Sequence, residues 1–150
     1  LINEQRTARG LQPVAWDDQI LPIARKHSAD MARHDYFSHT NPQGLGPADR
    51  GYAVGYYCRK DYERHYTQGI AENIFMCHLY SQVRVFHYGN GTTRRVHDWR
   101  SLEDIAQLVV EGWMNSPGHR ENILNPNYDK EAIGIVITEE DEVYITQNFC

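Results

Sequence analysis

Apolar residues recur at helical spacing in two long segments of the chain. In the first segment the apolar stripe is Ile20, Ile23, Ala24, His27 and Met31. In the second it is Leu102, Ile105, Ala106, Val109 and Trp113. Such spacing predicts two helices that each bury one face. Asp17 or Asp18 can cap the first, and Ser101 followed by Asp104 resembles a capping box for the second, which should run through Met114.

Two shorter helices are indicated by their boundary residues. Leu1 to Arg9 predicts a helix that ends at Gly10, because glycine is common just past a helix. Pro47 to Val54 predicts a second one, with proline at its first position. Ser116-Pro117-Gly118 ends the long helix that precedes it, and a new helical turn should begin there with His119.

Three segments have the pattern of strands. Ile70 to Cys77 has the pattern of a strand, although Glu72 interrupts its apolar positions. Ala132 to Thr138 alternates, and Val143 to Cys150 returns after an acidic turn, which predicts a hairpin. Helices first and an antiparallel hairpin last predict an α+β fold, in a single domain spanning residues 1–150.

The remaining segments have weaker patterns. Residues 56–66 carry four tyrosines and predict a surface loop: Tyr56, Tyr57, Tyr62 and Tyr66. Residues 78–100 predict a variable loop or hairpin that carries His78, His87 and His97. The adjacent Arg94 and Arg95 are interpreted as a solvated pair.

The net charge of the chain and the length of its apolar runs exclude some classes of function. The chain has 20 acidic and 15 basic residues, a net charge of −5, which argues against a nucleic-acid-binding protein. No apolar run reaches the roughly 20 residues of a membrane span. Eight histidines in 150 residues invite a metal or proton-transfer role.

The three cysteines leave alternatives open. Cys58, Cys77 and Cys150 allow one disulfide and one free thiol in an exported protein, or three thiols in a reducing compartment. In the exported case we expect Cys58 to pair with Cys77, because these two bracket one loop. The chain opens without methionine inside a predicted helix, which is typical of a trimmed mature domain, so any export signal or anchor would precede it.

Several short motifs occur in an order that is specific to one family. They are Leu1-Ile2-Asn3-Glu4-Gln5-Arg6 with Gly10-Leu11, Tyr36-Phe37-Ser38-His39-Thr40, Ala71-Glu72-Asn73-Ile74, the segment from Trp113 to Leu124, and Tyr144-Ile145-Thr146-Gln147-Asn148-Phe149. Together they resemble the CAP superfamily (cysteine-rich secretory protein, antigen 5 and pathogenesis-related 1) in its prokaryote-like form. The resemblance implies export and a three-layer α-β-α sandwich around a central antiparallel sheet.

The same resemblance implies a cleft lined by two histidines and two carboxylates. His39 and His119 match the histidines and Glu72 matches the first carboxylate, a set that could hold zinc or another divalent cation without an organic cofactor. The second carboxylate position is Ser116 here. Glu111 lies opposite the apolar stripe of its helix and should face away, whereas Glu121 could contribute instead.

Three functions follow as hypotheses. The first is an extracellular, non-enzymatic binding domain that takes a cation and a lipid-like or sterol-like ligand, or a protein partner. The second is a metal-assisted hydrolase with Glu72 as base. In the third the histidines and Glu72 form a buried polar network that fixes the fold, as expected in any case for His27 on its apolar stripe.

Overall fold

A computed structural model describes residues 1–61, 63 and 65–150, so Tyr62 of the predicted loop lies outside the described residues. The helices are α1 (Ile2–Thr7), α2 (Leu21–His34), α3 (Pro47–Tyr52), α4 (Leu102–Asn115) and α5 (Pro117–Ile123). The strands are β1 (Ala15–Trp16), β2 (Arg59–Asp61), β3 (Tyr66–Gln68), β4 (Ala71–His78), β5 (Tyr80–His87), β6 (Thr93–Trp99), β7 (Lys130–Ile137) and β8 (Glu142–Phe149).

The central sheet has the strand order β1-β7-β8-β4. The predicted hairpin is β7 and β8, and β4 pairs antiparallel with the other side of β8. The expectation of a purely antiparallel sheet is wrong in one respect, because β1 is parallel to β7. This strand has only two residues, both exposed, so it lacks the alternation by which a strand is recognised in a sequence.

Helices cover both faces of the sheet, which confirms the α-β-α sandwich. On one face α2 packs closely, and Ser28 Oγ donates a hydrogen bond to the carbonyl of Gly134. A Cβ at Gly134 would lie 2.2 Å from the backbone nitrogen of Arg25, so only glycine permits this approach. On the other face the α4 stripe packs against Val143, Ile145 and Phe149.

The helix boundaries reflect local hydrogen bonding. Ser101 and Asp104 form the expected capping box, with Asp104 N donating to Ser101 Oγ at 3.1 Å. The predicted cap of α2 is wrong, since the helix begins at Leu21 and Ile20 occupies the cap position. Asp17 instead accepts a hydrogen bond from Gln19 N in the turn that precedes the helix.

Two segments with weak sequence patterns contain strands. Residues 56–66, predicted as a loop, include β2 and lead into β3, a small separate hairpin. The segment from residue 78 to 100 forms the second of the predicted alternatives, a hairpin of β5 and β6. Every residue from 81 to 95 of that hairpin is exposed.

The expected Cys58–Cys77 disulfide is wrong. Cys58 is bonded to Cys150, with their Cα atoms 5.5 Å apart, and Cys77 is a free thiol. Cys77 lies six residues along β4 from Ala71, which is paired with Phe149 beside Cys150. At about 3.3 Å per residue this places Cys77 roughly 20 Å from the end of β8. Proximity along the chain was therefore a poor guide to proximity in the sheet.

Candidate functional site

The candidate cleft is organised around Glu72, the second residue of β4. Alternation along the strand turns Glu72 and Ile74 toward α2, while Asn73 and Phe75 face α4 and α5. Ile74 packs with Met31 of α2, and Phe75 packs edge-on against Trp113 of α4. The strand is thus anchored on both faces, and the buried Glu72 carboxylate has a fixed position at its start.

Four side chains surround the Glu72 carboxylate. His39 Nδ1 donates to Oε1 at 3.0 Å, and His27 Nε2 lies 3.6 Å from the same oxygen. Arg50 Nη2 donates to Oε2 at 2.6 Å, and Asn148 Nδ2 donates to Oε2 at 3.1 Å. Burial raises the pKa of Glu72, but the His39 hydrogen bond and the Arg50 charge outweigh it, so the pKa is lowered. Glu72 is therefore an ionised, fully hydrogen-bonded carboxylate.

Two of these partners were missed or placed elsewhere by sequence reasoning. Arg50 of α3 was not singled out, although a carboxylate in an apolar strand needs a cationic partner. Its Nη1 also donates to the carbonyls of His39 and Leu45, which holds the segment before α3 in place. His27 is a core histidine as predicted, and it also lies beside Glu72. Burial lowers its pKa, so it is neutral and donates from Nε2 to the Ser38 carbonyl at 3.0 Å.

The structure brings the two predicted cleft histidines close together. The ring centroids of His39 and His119 are 6.1 Å apart, and the rings are inclined by 52°. His119 lies in the first turn of α5, as its sequence position indicated, and Asn73 Nδ2 donates to its carbonyl at 3.2 Å. Burial, followed by the electrostatic effect of the neighbouring His39, lowers the pKa of His119, so its imidazole is neutral at physiological pH.

The three other candidate residues are not among the side chains that contact the Glu72 carboxylate. Ser116 is the junction of α4 and α5 and is half-buried. Glu111 on α4 is exposed, in agreement with its predicted outward direction, and Glu121 on α5 is also exposed. Within residues 1–61, 63 and 65–150, no group of three or more His, Cys, Asp or Glu side chains is placed to hold a metal ion.

Among its described residues, the cleft can therefore present nitrogen ligands but no carboxylate free of hydrogen-bond partners. Since Nδ1 of His39 donates to Glu72, the Nε2 lone pair of His39 is directed to the other side of the ring. A carboxylate that fixes the tautomer of a ligating histidine in this way is common behind metal sites. His39 and His119 are consequently the residues that could hold a cation, with Glu72 behind one of them.

A second concavity, which we call the apolar groove, lies apart from the cleft between α1, α4 and the sheet. It has a volume of about 490 Å³. Its lining is almost entirely aliphatic: Leu1, Ile2, Asn3, Leu79, Leu102, Ile105, Ala106, Val109, Val110, Trp113, Glu131, Ile133, Ile135, Ile137, Val143 and Ile145. Sequence reasoning missed it because its walls come from elements far apart in the chain.

Among the described residues that line the groove, Glu131 is the one carboxylate. Its Oε2 accepts a hydrogen bond from Gln147 Nε2 at 2.5 Å. Burial raises the pKa of Glu131, against the opposing effects of that hydrogen bond and of the Arg6 charge. The groove thus disfavours negative charge even where it has an acidic group.

None of the helices formed by the described residues is long and apolar enough to cross a membrane. This finding agrees with the hydropathy of the sequence.

Known proteins resemble the chain over nearly its whole length. The Bacillus subtilis (strain 168) proteins named uncharacterized protein YkwD and uncharacterized membrane protein YlbC are each 30% identical to it, over 138 and 150 residues. The match covers 91% and 99% of the chain but 40% and 32% of those relatives, so the chain spans well under half of their length.

A solved structure agrees in fold. An extracellular protein containing a SCP domain from Bacillus anthracis superposes with a TM-score of 0.61 at 27% identity, covering 99% of the chain and 37% of that protein. The Bacillus anthracis protein is named as extracellular and YlbC as a membrane protein, in agreement with the expected location outside the cytoplasm or at the cell surface. The sequence profile of the Cysteine-rich secretory protein family matches residues 1–149. The chain therefore belongs to the cysteine-rich secretory protein family, as its ordered motifs predicted.

Proposed function

We propose that this chain is an extracellular, non-enzymatic binding domain with two separate sites. In the cleft, His39 and His119 hold a divalent cation such as zinc. The apolar groove takes a small, uncharged apolar ligand, or an apolar side chain of a protein partner. The single observation that carries the non-enzymatic assignment is the complete engagement of the Glu72 carboxylate.

A general base needs an oxygen lone pair that can reach the proton it removes. Both oxygens of Glu72 already accept hydrogen bonds, and Arg50 forms an ion pair with one of them at 2.6 Å. The lowered pKa of Glu72 further weakens it as a base. The alternative function, a metal-assisted hydrolase that uses Glu72, is therefore disfavoured.

The two imidazoles fit a shared cation. Zn–N bonds are about 2.0–2.1 Å long, so two imidazoles on one zinc ion have ring centroids roughly 5–6 Å apart. The 6.1 Å separation of His39 and His119 lies just above that range, so the two rings would move slightly closer on sharing one ion. A bound zinc ion would supply Lewis acidity and open positions for a ligand oxygen. Arg50 lies behind Glu72 and opposes a cation, so the affinity should be modest.

Hydrolysis is the outcome that separates the two functions. The purified chain is incubated with a panel of peptide and ester substrates, with and without zinc. We expect no turnover above the zinc-only control. Zinc-dependent turnover that is lost in both Glu72→Gln and His39→Ala would overturn the non-enzymatic assignment. The exposed His39 can be replaced without removing the Arg50 ion pair, so a folding defect in Glu72→Gln does not obscure the result.

The apolar groove is tested with the neutral fluorescent probe N-phenyl-1-naphthylamine. Ala106 lines the groove, whereas the adjacent Gln107 is exposed outside its lining. Ala106→Trp should fill the groove and reduce probe affinity by at least about tenfold, because the probe loses most of its apolar contact. Gln107→Trp is the matched control and should leave the probe affinity unchanged. Equal affinity in both variants would contradict a ligand in the groove.

A further inference from the structure

The β5–β6 hairpin, residues 80–99, extends away from the sandwich, and we call it the basic ribbon. Its base is held by Arg100, whose Nη1 donates to the carbonyls of His78 and Tyr80. The rings of Tyr80, His97 and Trp99 pack together at the base, with centroids 4.7 to 6.0 Å apart. Above this cluster every residue from 81 to 95 is exposed, so the outer part of the ribbon is open to solvent.

The outer part of the ribbon carries apolar side chains on both faces. Side chains alternate along a strand, so Val83 and Val85 lie on one face and Phe86 lies on the other. Val83, Val85, Phe86 and Tyr88 are between 38% and 49% exposed. A docking groove on a folded protein would cover one face of a ribbon. Because this tip exposes apolar side chains on both faces, it suits an environment that encloses the whole tip rather than a groove that covers one face.

The ribbon also has the opposite charge to the rest of the molecule. It contains three arginines and one aspartate, a net charge of +2, whereas the chain as a whole carries −5. Arg84 is paired with Asp98 at 2.5 Å, so Arg94 and Arg95 carry the net charge. These two arginines are the cross-strand partners of Phe86 and Val85. The positive charge is therefore beside the apolar tip.

The length of the ribbon separates this charge from the acidic sandwich. Eight residues of strand span about 26 Å at about 3.3 Å per residue. The Debye length at physiological ionic strength is about 8 Å. An anionic surface that touches the tip is consequently screened from the acidic remainder of the chain. A second copy of the ribbon is a poor partner, because two basic ribbons would repel each other.

We propose that the tip of the basic ribbon docks on the surface of a bilayer that contains anionic lipids. Phe86 and Tyr88 enter the interfacial layer, where aromatic side chains are favoured. Arg94 and Arg95 contact lipid phosphates while their aliphatic stems lie along the apolar tip. The ribbon would hold the sandwich near a membrane without a spanning segment in this domain.

Vesicle co-sedimentation tests the proposal with the full chain. Vesicles of phosphatidylglycerol and phosphatidylcholine in equal amounts are compared with vesicles of phosphatidylcholine alone. We expect binding to the anionic vesicles that weakens as salt is added. The double variant Arg94→Ser/Arg95→Ser should bind roughly 25-fold more weakly, since each arginine near an anionic surface contributes about fivefold. Phe86→Ser/Tyr88→Ser should bind at least about tenfold more weakly.

The matched control removes the same charge from the sandwich. Arg25 and Arg33 are exposed on α2, and Arg25→Ser/Arg33→Ser should change vesicle binding by less than about twofold. Equal binding to neutral vesicles, equal losses in the control, or no vesicle binding would each overturn the proposal. So would binding to soluble polyglutamate that depends on the arginines but not on Phe86 and Tyr88, because that result assigns the ribbon to an acidic polymer.

Discussion

Glu72 in the cleft and Glu131 in the apolar groove are buried to a similar degree, 6% and 8% exposed, yet their pKa values are shifted in opposite directions. Burial raises the pKa of both. In the cleft, His39 and Arg50 reverse this effect at hydrogen-bond distance. In the groove, the Gln147 hydrogen bond and the Arg6 charge do not.

The difference shows that polar partners, rather than depth, determine which charge state a buried carboxylate adopts in each concavity. The cleft keeps an ionised carboxylate behind His39, which orients that ring as the proposed cation site requires. The groove resists charge and is lined by aliphatic side chains, so it suits a neutral apolar ligand. Each of the following predictions tests one side of this comparison.

Glu72→Gln should have the largest effect. It leaves the side chain of Arg50, which is 9% exposed, as a buried cation without its ion-pair partner. Breaking a buried pair in this way costs about 3 kcal/mol of the free energy of unfolding. Urea denaturation measures this loss. The control is Glu121→Gln at an exposed position, which should change the free energy of unfolding by less than about 0.5 kcal/mol. A loss below about 1 kcal/mol would mean that the Arg50 charge is compensated from another source.

His27→Gln should have a smaller effect on stability and little on zinc binding. The substitution disturbs a buried hydrogen bond to the Ser38 carbonyl, with an expected loss of about 1–2 kcal/mol in the free energy of unfolding. His27 lies behind Glu72 rather than beside His119, so the zinc affinity should stay within about twofold. A tenfold loss of zinc affinity would place His27 among the ligands.

The two carboxylates should give opposite pH dependences. The pKa values of Glu72 and His27 are lowered from their usual values of 4.5 and 6.5. The stability that these two groups contribute to the folded state is therefore present above the usual values, and it is lost as the pH falls through the lowered pKa values. The raised pKa of Glu131 contributes stability present below 4.5 and lost as pH rises through its raised value. Glu131→Gln should therefore gain stability relative to wild type at pH 7 and lose that gain by pH 4, measured by urea denaturation. A stability gain of Glu131→Gln that grows toward pH 4 would contradict a raised pKa of Glu131.

Glu111→Gln should have the smallest effect. Glu111 is exposed on α4, away from both concavities, so the free energy of unfolding should change by less than about 0.5 kcal/mol. The zinc affinity should also be unchanged, measured by calorimetry. A tenfold loss would show that this side chain reaches the cleft as a second carboxylate.

The sequence predicted the elements with strong periodic patterns. The α4 helix, the Ser101 capping box and the hairpin of β7 and β8 are local features, and all are confirmed. Of the predicted α4 stripe, Ile105, Val109 and Trp113 are buried, whereas Leu102 and Ala106 are exposed. The convergence of His39, Glu72 and His119 came from the family resemblance, because no local pattern links residues that far apart.

The parts that escaped prediction depend on contacts between distant segments. Pairing of Cys58 with Cys150 follows from the end of β8 reaching the segment before β2. Arg50 becomes a cleft residue only when α3 packs near β4, and the apolar groove exists only where α1 and α4 meet the sheet. Helix and strand periodicity report burial but not which buried faces meet.

Calorimetric titration of zinc tests the central claim, that His39 and His119 form a cation site in the cleft. Wild type should bind zinc at neutral pH, and His39→Ala and His119→Ala should each lose at least about tenfold in affinity, since each removes one of two protein ligands. Binding should weaken as pH falls below about 6.5, because protonated imidazoles cannot ligate. Equal affinities in all three proteins, or no binding at neutral pH, would contradict the claim and leave the cleft as a polar network that only stabilises the fold.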